Sequence, residues 1–149
     1  METVQAKNTE PRVEKSCAVL VKKAYQDHLK DFKKAKNFLD IEKSERNKFD
    51  EFLSDDYQEL NQYEDFFDYV NQFGLCFDRV EAGTFEDQRA GYWRWQLSWG
   101  GPSDEFRLFD NGDLEYWYLD WSDGACVPVK DEIFENIMAN FKELSAEDC

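Results

Sequence analysis

Between residues 49 and 78 the chain contains no lysine or arginine, and over its whole 149 residues it has one histidine, three prolines and four cysteines. Each scarcity excludes something. Cys17, Cys76, Cys126 and Cys149 fall in no CxxC or Cys/His spacing, so neither a zinc site nor a disulfide framework is signalled. They read as reduced thiols, three of them buried and Cys149 free on the tail. No run approaches the ~18 apolar residues of a membrane span, and the opening "METVQAKNTEPR" has no apolar stretch of the signal-peptide kind. A soluble, cytoplasmic protein with no membrane partner is expected.

Catalytic motifs are equally sparse. No GxSxG, HExxH, P-loop or GxGxxG pattern occurs. The single His28 lies among lysines and reads as a surface or boundary residue rather than a general base. Asp104, Glu105, Asp120 and Asp123 could be paired as acid and base, but 33 acidic residues make chance pairs unavoidable. "DNGDLE" lacks the ligand spacing of a calcium loop and fits a hairpin turn better. The expectation is a non-enzyme with no catalytic residue, metal or cofactor.

What the sequence has in abundance is negative charge, unevenly divided. The formal net charge is −15. Residues 1 to 48 carry twelve Lys/Arg against eight Asp/Glu, a balance of +4, whereas residues 49 to 149 carry six against twenty-five, a balance of −19. Asp50, Glu51, Asp55, Asp56, Glu59, Glu64, Asp65, Asp68 and Asp78 have no basic residue among them in sequence. Local pairing therefore cannot neutralise them, and a strongly negative field is expected. Such a field repels nucleic acid and attracts proteins that bind it, although acidity for solubility alone is the plainer explanation.

Apolar spacing organises the chain into a frayed tail, residues 1 to 12, and a single α+β domain over 13 to 149. Val13, Cys17, Leu20, Val21, Ala24, Tyr25, Leu29, Phe32, Ala35 and Leu39 form one stripe of a long helix whose other face is lysine-rich. After a break near "DIEKSERN", Phe49, Phe52 and Leu53 continue an apolar face. Ser54 or Asp55 then caps a helix reading "YQELNQYEDFFDYVNQF", with Leu60, Tyr63, Phe67, Val70 and Phe73 buried, closed by Gly74. Glu59, Glu64, Asp65 and Asp68 fall on its outer face and repel one another weakly. Residues 129 to 144 make a C-terminal helix burying Ile133, Phe134, Ile137, Met138, Phe141 and Leu144.

Between the helical parts, over 75 to 121, the period falls to two. "LCFDRVEAG", "YWRWQLSW", "EFRLF" and "LEYWYLDW" read as a four-stranded antiparallel meander, with Asn111-Gly112 as a tight primed turn needing positive φ at both positions. Alternation puts Trp93, Trp95, Leu97 and Trp99 on one face, and Tyr92, Arg94, Gln96 and Ser98 on the other. In the last strand Leu114, Tyr116, Tyr118 and Asp120 oppose Glu115, Trp117, Leu119 and Trp121. The tryptophan-rich face fits a core. Tyr92, Arg94, Trp117 and Trp121 then form a candidate aromatic surface for a base, a sugar or a peptide.

The acid-dense helix, the small size, the lack of a catalytic motif and the aromatic sheet resemble, in type, the small acidic anti-defence proteins of phages and plasmids, the anti-CRISPR and anti-restriction inhibitors, several of which mimic nucleic acid; the blocks "YWRWQLSWGGPSDEFRLF" and "YWYLDWSDGA" resemble proteins of mobile elements, with no function attached. The resemblance implies a non-enzymatic inhibitor that covers the nucleic-acid-binding surface of a host defence or nucleic-acid-processing complex. Asp50, Glu51, Asp55, Asp56, Glu59, Glu64, Asp65 and Asp68 would be its partner-binding phosphate surrogates. Two alternatives stay open at this point: a binding module using the aromatic sheet surface, or a small carboxylate-dependent enzyme. The basic helix, with Lys22, Lys23, Lys30, Lys33, Lys34 and Lys36, suggests a homodimer in which Tyr25, Leu29 and Phe32 are buried between two chains.

Overall fold

The computed structural model describes residues 16–85, 88, 90–100, 102–120 and 123–147. The expected fraying of 1 to 12, and the placement of Val13, Trp121 and Cys149, lie outside these residues.

The lysine-backed stripe forms α1 (Cys17–Leu39), a helix of 23 residues. Its inward positions Cys17, Val21, Tyr25, Leu29, Phe32, Ala35 and Leu39 are all buried, at the 3–4 spacing that a one-sided helix requires. Short elements follow: α2 (Lys43–Asn47), a 3₁₀ turn (Asp50–Phe52), α3 (Asp55–Leu60) and α4 (Phe66–Phe73). The expected single helix over 57 to 73 is thus two. Asp65 caps the second by accepting a hydrogen bond from the Asp68 N–H at 2.8 Å, and this restart resets the phase of the apolar face. Phe66, Tyr69 and Phe73 join Val70 against the core, while Phe67 lies beside Phe141 at 6.0 Å between ring centres.

Gly74 ends α4 in an extended conformation, φ −81°, not in the left-handed cap that glycine usually supplies. Its reason is space: a Cβ there would lie 2.0 Å from Trp95 Nε1.

The sheet is an antiparallel meander of five strands in sequential order, β1 (Cys76–Val80), β2 (Tyr92–Ser98), β3 (Ser103–Phe109), β4 (Leu114–Asp120) and β5 (Asp123–Pro128). The fifth strand was not expected. It pairs Tyr116 with Val127 and Tyr118 with Ala125 at the sheet's edge, where Pro128 costs no ladder bond. The β3–β4 connection is also longer than a two-residue primed turn. Gly112 N–H donates to Phe109 O at 2.9 Å and Phe109 N–H to Asp113 O at 2.8 Å, which leaves a three-residue loop with Gly112 at φ +96°.

Helices α1 and α4, with α5 (Glu132–Glu147), cover one face of this sheet. Phe32 and Phe106 are central. Phe32 meets Phe73, Phe134 and Trp95 edge-on or tilted, and Phe106 meets Trp95, Tyr116 and Phe134, all within 6 Å between ring centres. Such edge and offset contacts are the favoured geometry of aromatic rings and add to their area burial. On α5, Ile133, Phe134, Ile137, Met138 and Phe141 are buried as expected, but Leu144 is exposed.

Four expectations need correction here. A bulge between Gln96 and Ser98 slips the alternation of β2 by one residue, so Trp95 and Leu97 are core but Trp99 is 62% exposed. Phe49 and Phe52 do not continue an apolar face; both stand in solvent. Tyr25, Leu29 and Phe32 are buried in the chain's own core, so they are not free to join two copies. Of the described cysteines only Cys17 is buried, Cys76 being half-buried and Cys126 exposed. No helix among the described residues is long and apolar enough to cross a membrane.

Candidate functional site

The acidic segment 49–68 wraps the end of α1 and is fastened there by Arg46. The Arg46 side chain is 3% exposed, and it donates to Ile41 O, Asn61 Oδ1, Tyr63 O and Glu64 O at 2.7–3.2 Å. A guanidinium offers five donors in a fixed fork, so one side chain satisfies a turn whose carbonyls would otherwise be buried without partners. Asn61, itself 5% exposed, passes the link on by donating to Asp50 Oδ1 at 2.9 Å and Asn47 Oδ1 at 3.2 Å. Neither Arg46 nor Asn61 belonged to the sequence-derived site, and in sequence each is one polar residue among many.

The structure sorts the eight candidate acids into two sets. Asp50 is held by Asn61, Asp56 faces Lys34 at 3.4 Å, and Asp65 caps α4. Asp68 accepts from the Glu64 N–H at 2.9 Å and Gln72 Nε2 at 2.8 Å, and these hydrogen bonds hold its carboxyl below the ordinary carboxylate range. These four do structural work in addition to carrying charge. Glu51, Asp55, Glu59 and Glu64 are exposed, and their side chains have no ion-pair or hydrogen-bond partner among the described residues. As expected, no local pairing neutralises the segment: the first set bonds to neutral groups except Asp56, whose cation, Lys34, comes from α1, and further along the chain Arg94 on β2 pairs with Asp78 at 2.7 Å.

Two aromatic side chains interrupt the acids. Phe49 is 59% and Phe52 77% exposed, flanking Asp50 and Glu51 on the 3₁₀ turn. Leu53 is half-buried beside them.

The alternative surface, on the sheet face away from the helices, is differently built. Tyr92 is only 2% exposed, and the Arg107 guanidinium lies between its ring (4.9 Å) and that of Trp117 (4.1 Å). Arg94 donates twice to Asp78, at 3.0 and 2.7 Å; Arg107 donates to Glu105 at 2.6 Å; Trp117 Nε1 donates to Glu115 at 3.0 Å. Arg94 and Arg107 are register partners, and like charges opposite one another are unfavourable, so the flanking Asp78 and Glu105 are needed to hold the pair. Tyr92, Arg94 and Trp117 are thus engaged with their own neighbours rather than presented as a stacking surface. Trp121, the fourth residue proposed for it, lies outside the described residues.

On the helix side, Asp104 gathers a buried polar cluster. It is 7% exposed and accepts from Tyr116 Oη at 2.5 Å and from Ser98 Oγ, and it lies 2.7 Å from His28 Nε2. Burial raises the Asp104 carboxyl, and the bonds from His28, Ser98 and Tyr116 outweigh it and hold the carboxyl below its ordinary value. Burial and the same carboxylate push the Tyr116 hydroxyl up. His28 and Ser98 both face Asp104 and do not bond to each other, so the three do not form a nucleophile–base relay. His28 is therefore the boundary residue that was expected, with a partner that was not. Asp104 and Glu105 serve opposite faces of the sheet and make no acid pair. No group of three or more His, Cys, Asp or Glu among the described residues is arranged to hold a metal ion.

No family model, no curated protein and no solved structure matches this chain.

Proposed function

We propose that this chain is a protein-binding inhibitor whose acidic segment, residues 49–64, docks on the nucleic-acid-binding face of a basic partner protein and blocks it. The observation that carries the reading is the pair Phe49 and Phe52, left 59% and 77% exposed between Asp50, Glu51, Asp55 and Asp56. Acidity alone serves solubility. Large aromatic side chains kept in water within an acidic rim serve no folding purpose, and they are the usual anchors of a protein interface.

The division of labour follows from the two kinds of side chain. Glu51, Asp55, Glu59 and Glu64 supply carboxylates to a groove evolved for phosphates, raising the encounter rate and fixing orientation. Phe49 and Phe52 supply apolar burial, which phosphate does not. The segment is presented rigidly because Arg46 and Asn61 fasten its base, so little ordering cost opposes binding. Partners of this kind are the nucleic-acid-binding subunits of host defence or processing complexes, the class implied by the resemblance to anti-defence proteins.

The test is capture from a lysate of the cell that makes the protein, at low salt. Immobilised wild type is compared with the Glu51→Lys/Asp55→Lys/Glu64→Lys variant, and the beads are washed with excess duplex DNA. The reading expects a retained nucleic-acid-binding protein that the triple variant does not hold and that DNA releases. Retention indifferent to both changes contradicts it.

A further inference from the structure

Resting on the proposed docking of a basic partner, we infer that the cleft between α1, α3 and α4 is a receptor for one arginine side chain of that partner. The cleft, about 390 Å³ in volume, is lined by Asp31 and Lys34 of α1, Asp56, Glu59 and Leu60 of α3, and Tyr63, Tyr69 and Phe73 beyond them. Its floor is aromatic: Tyr63 stands edge-on to Tyr69 at 5.3 Å, and Tyr69 is 5.7 Å from Phe73. Its rim carries three carboxylates against one ammonium. That ammonium is already engaged, since Lys34 Nζ is 3.4 Å from Asp56 and 4.8 Å from the centre of the Tyr57 ring. Asp31 and Glu59 are left exposed and without an ion-pair partner among the described residues.

A second observation points to a ligand independently of the acids. Tyr69 is only 9% exposed and lines the cleft, and its hydroxyl, which bonds to no side chain or backbone group among the described residues, is the part of it left open to solvent. A phenol oxygen held by a buried ring and facing water is placed to bond a ligand that displaces that water. Burial, then the nearby Asp31, Tyr63 and Glu59, push this hydroxyl up to about 12, so it stays protonated and able to accept or donate at neutral pH.

Arginine fits this combination better than lysine. A planar guanidinium stacks on tyrosine rings and offers separate N–H donors to two carboxylates and a phenol oxygen at once, whereas an ammonium is a compact, strongly hydrated point charge. The cleft adjoins the acidic segment through Asp56 and Glu59, so a partner seated on that segment brings its basic side chains to this opening.

The test needs no partner. The full chain, with its tyrosine and phenylalanine rings isotope-labelled, is titrated by NMR with Nα-acetyl-arginine methylamide at constant ionic strength, in parallel with the lysine analogue. Saturable shifts confined to Tyr63, Tyr69 and Phe73 are expected, at least several-fold weaker for the lysine probe. Tyr69→Phe, which keeps the ring, is expected to weaken binding about fivefold, the equivalent of one neutral hydrogen bond. Asp31→Asn/Glu59→Gln, on exposed positions that leave the fold intact, is expected to abolish it. Equal response to both probes, shifts spread over the whole acidic surface, or indifference to these variants overturns the inference. Lysate capture by the Glu51, Asp55 and Glu64 set reads the docking surface separately. If the titration fails while capture stays charge-dependent, the cleft inference alone falls; if capture fails while the titration succeeds, the docking reading falls and the arginine site stands.

Discussion

Arg46 Nη1 donates to Asn61 Oδ1 at 2.8 Å, and both residues are at least 95% buried beneath the acidic segment. The acidic segment is thus seated on a buried cation whose hydrogen bonds go to neutral oxygens. Removing it frees Ile41, Tyr63 and Glu64 carbonyls at once. Arg46→Met is expected to cost about 3 kcal/mol, since hydrogen bonds to a charged group are worth more than neutral ones and buried carbonyls are left unpaired. Loosening should concentrate at 47–64 rather than in the sheet. Hydrogen exchange checks this: protection lost evenly over the whole chain contradicts the assigned role.

Trp95 and Gly74 form a second dependent pair. Trp95 is 2% exposed and stacks at 5.7 Å on Phe106, so Trp95→Ala is expected to cost about 3–5 kcal/mol. Gly74→Ala, at a backbone conformation any residue tolerates, should still cost about 1–3 kcal/mol by overpacking against the indole. Urea denaturation of both variants decides it. A Gly74→Ala protein as stable as wild type would mean that the indole has room to move.

The Asp104 cluster gives a pH signature. A carboxyl whose native pKa is lowered stabilises the fold above its unfolded value of about 3.9 and loses that contribution as pH falls through the native value. Asp104→Asn is expected to cost about 2–4 kcal/mol at neutral pH, by disrupting the bonds to His28, Ser98 and Tyr116. The gap to wild type should narrow as pH is lowered below about 4, because the unfolded wild-type chain then takes up a proton that the folded carboxyl does not yet bind. Denaturation curves at a series of pH values measure this, and a gap unchanged down to about pH 2.5 contradicts it.

Much of this architecture was legible in residue spacing. The α1 stripe, the change of period after Gly74 and the inward side of α5 all follow from repeats long enough to fix a face. Features depending on pairing were not. The bulge at Gln96–Ser98 has no mark in β2's own alternation, and past it Trp99 stands outside the core. β5, with "DGACVP", has the glycine, proline and aspartate that argue against a strand, and it forms because β4 offers a free edge. Contacts bridging large separations were equally hidden, His28 and Asp104 being 76 residues apart. Of the candidate site, composition marked the acidic stretch, but which acids are tied and which are free depends on Lys34, Asn61 and the restart of α4. Phe49 and Phe52, whose spacing suggests core, are its most exposed aromatic members.

The outer sheet face is a structural one on this account. Arg107→Ala would strip the cation from between Tyr92 and Trp117 and leave Glu105, 4% exposed, without its partner, for a loss of about 3 kcal/mol. Trp117→Ala, by contrast, should leave capture of the partner unchanged at temperatures where the variant is folded. Loss of capture with a native circular dichroism spectrum would restore the aromatic surface as the site.

The central claim is that this chain and nucleic acid compete for one surface. Once a captured partner is purified, its affinity for a labelled duplex is measured by fluorescence anisotropy at increasing concentrations of the acidic protein and fixed salt. The account predicts that the apparent Kd for DNA rises in proportion to the added protein without a ternary complex, and that Phe52→Ala and the triple lysine variant each weaken this competition. A DNA affinity that stays constant while all three molecules sediment together would contradict it.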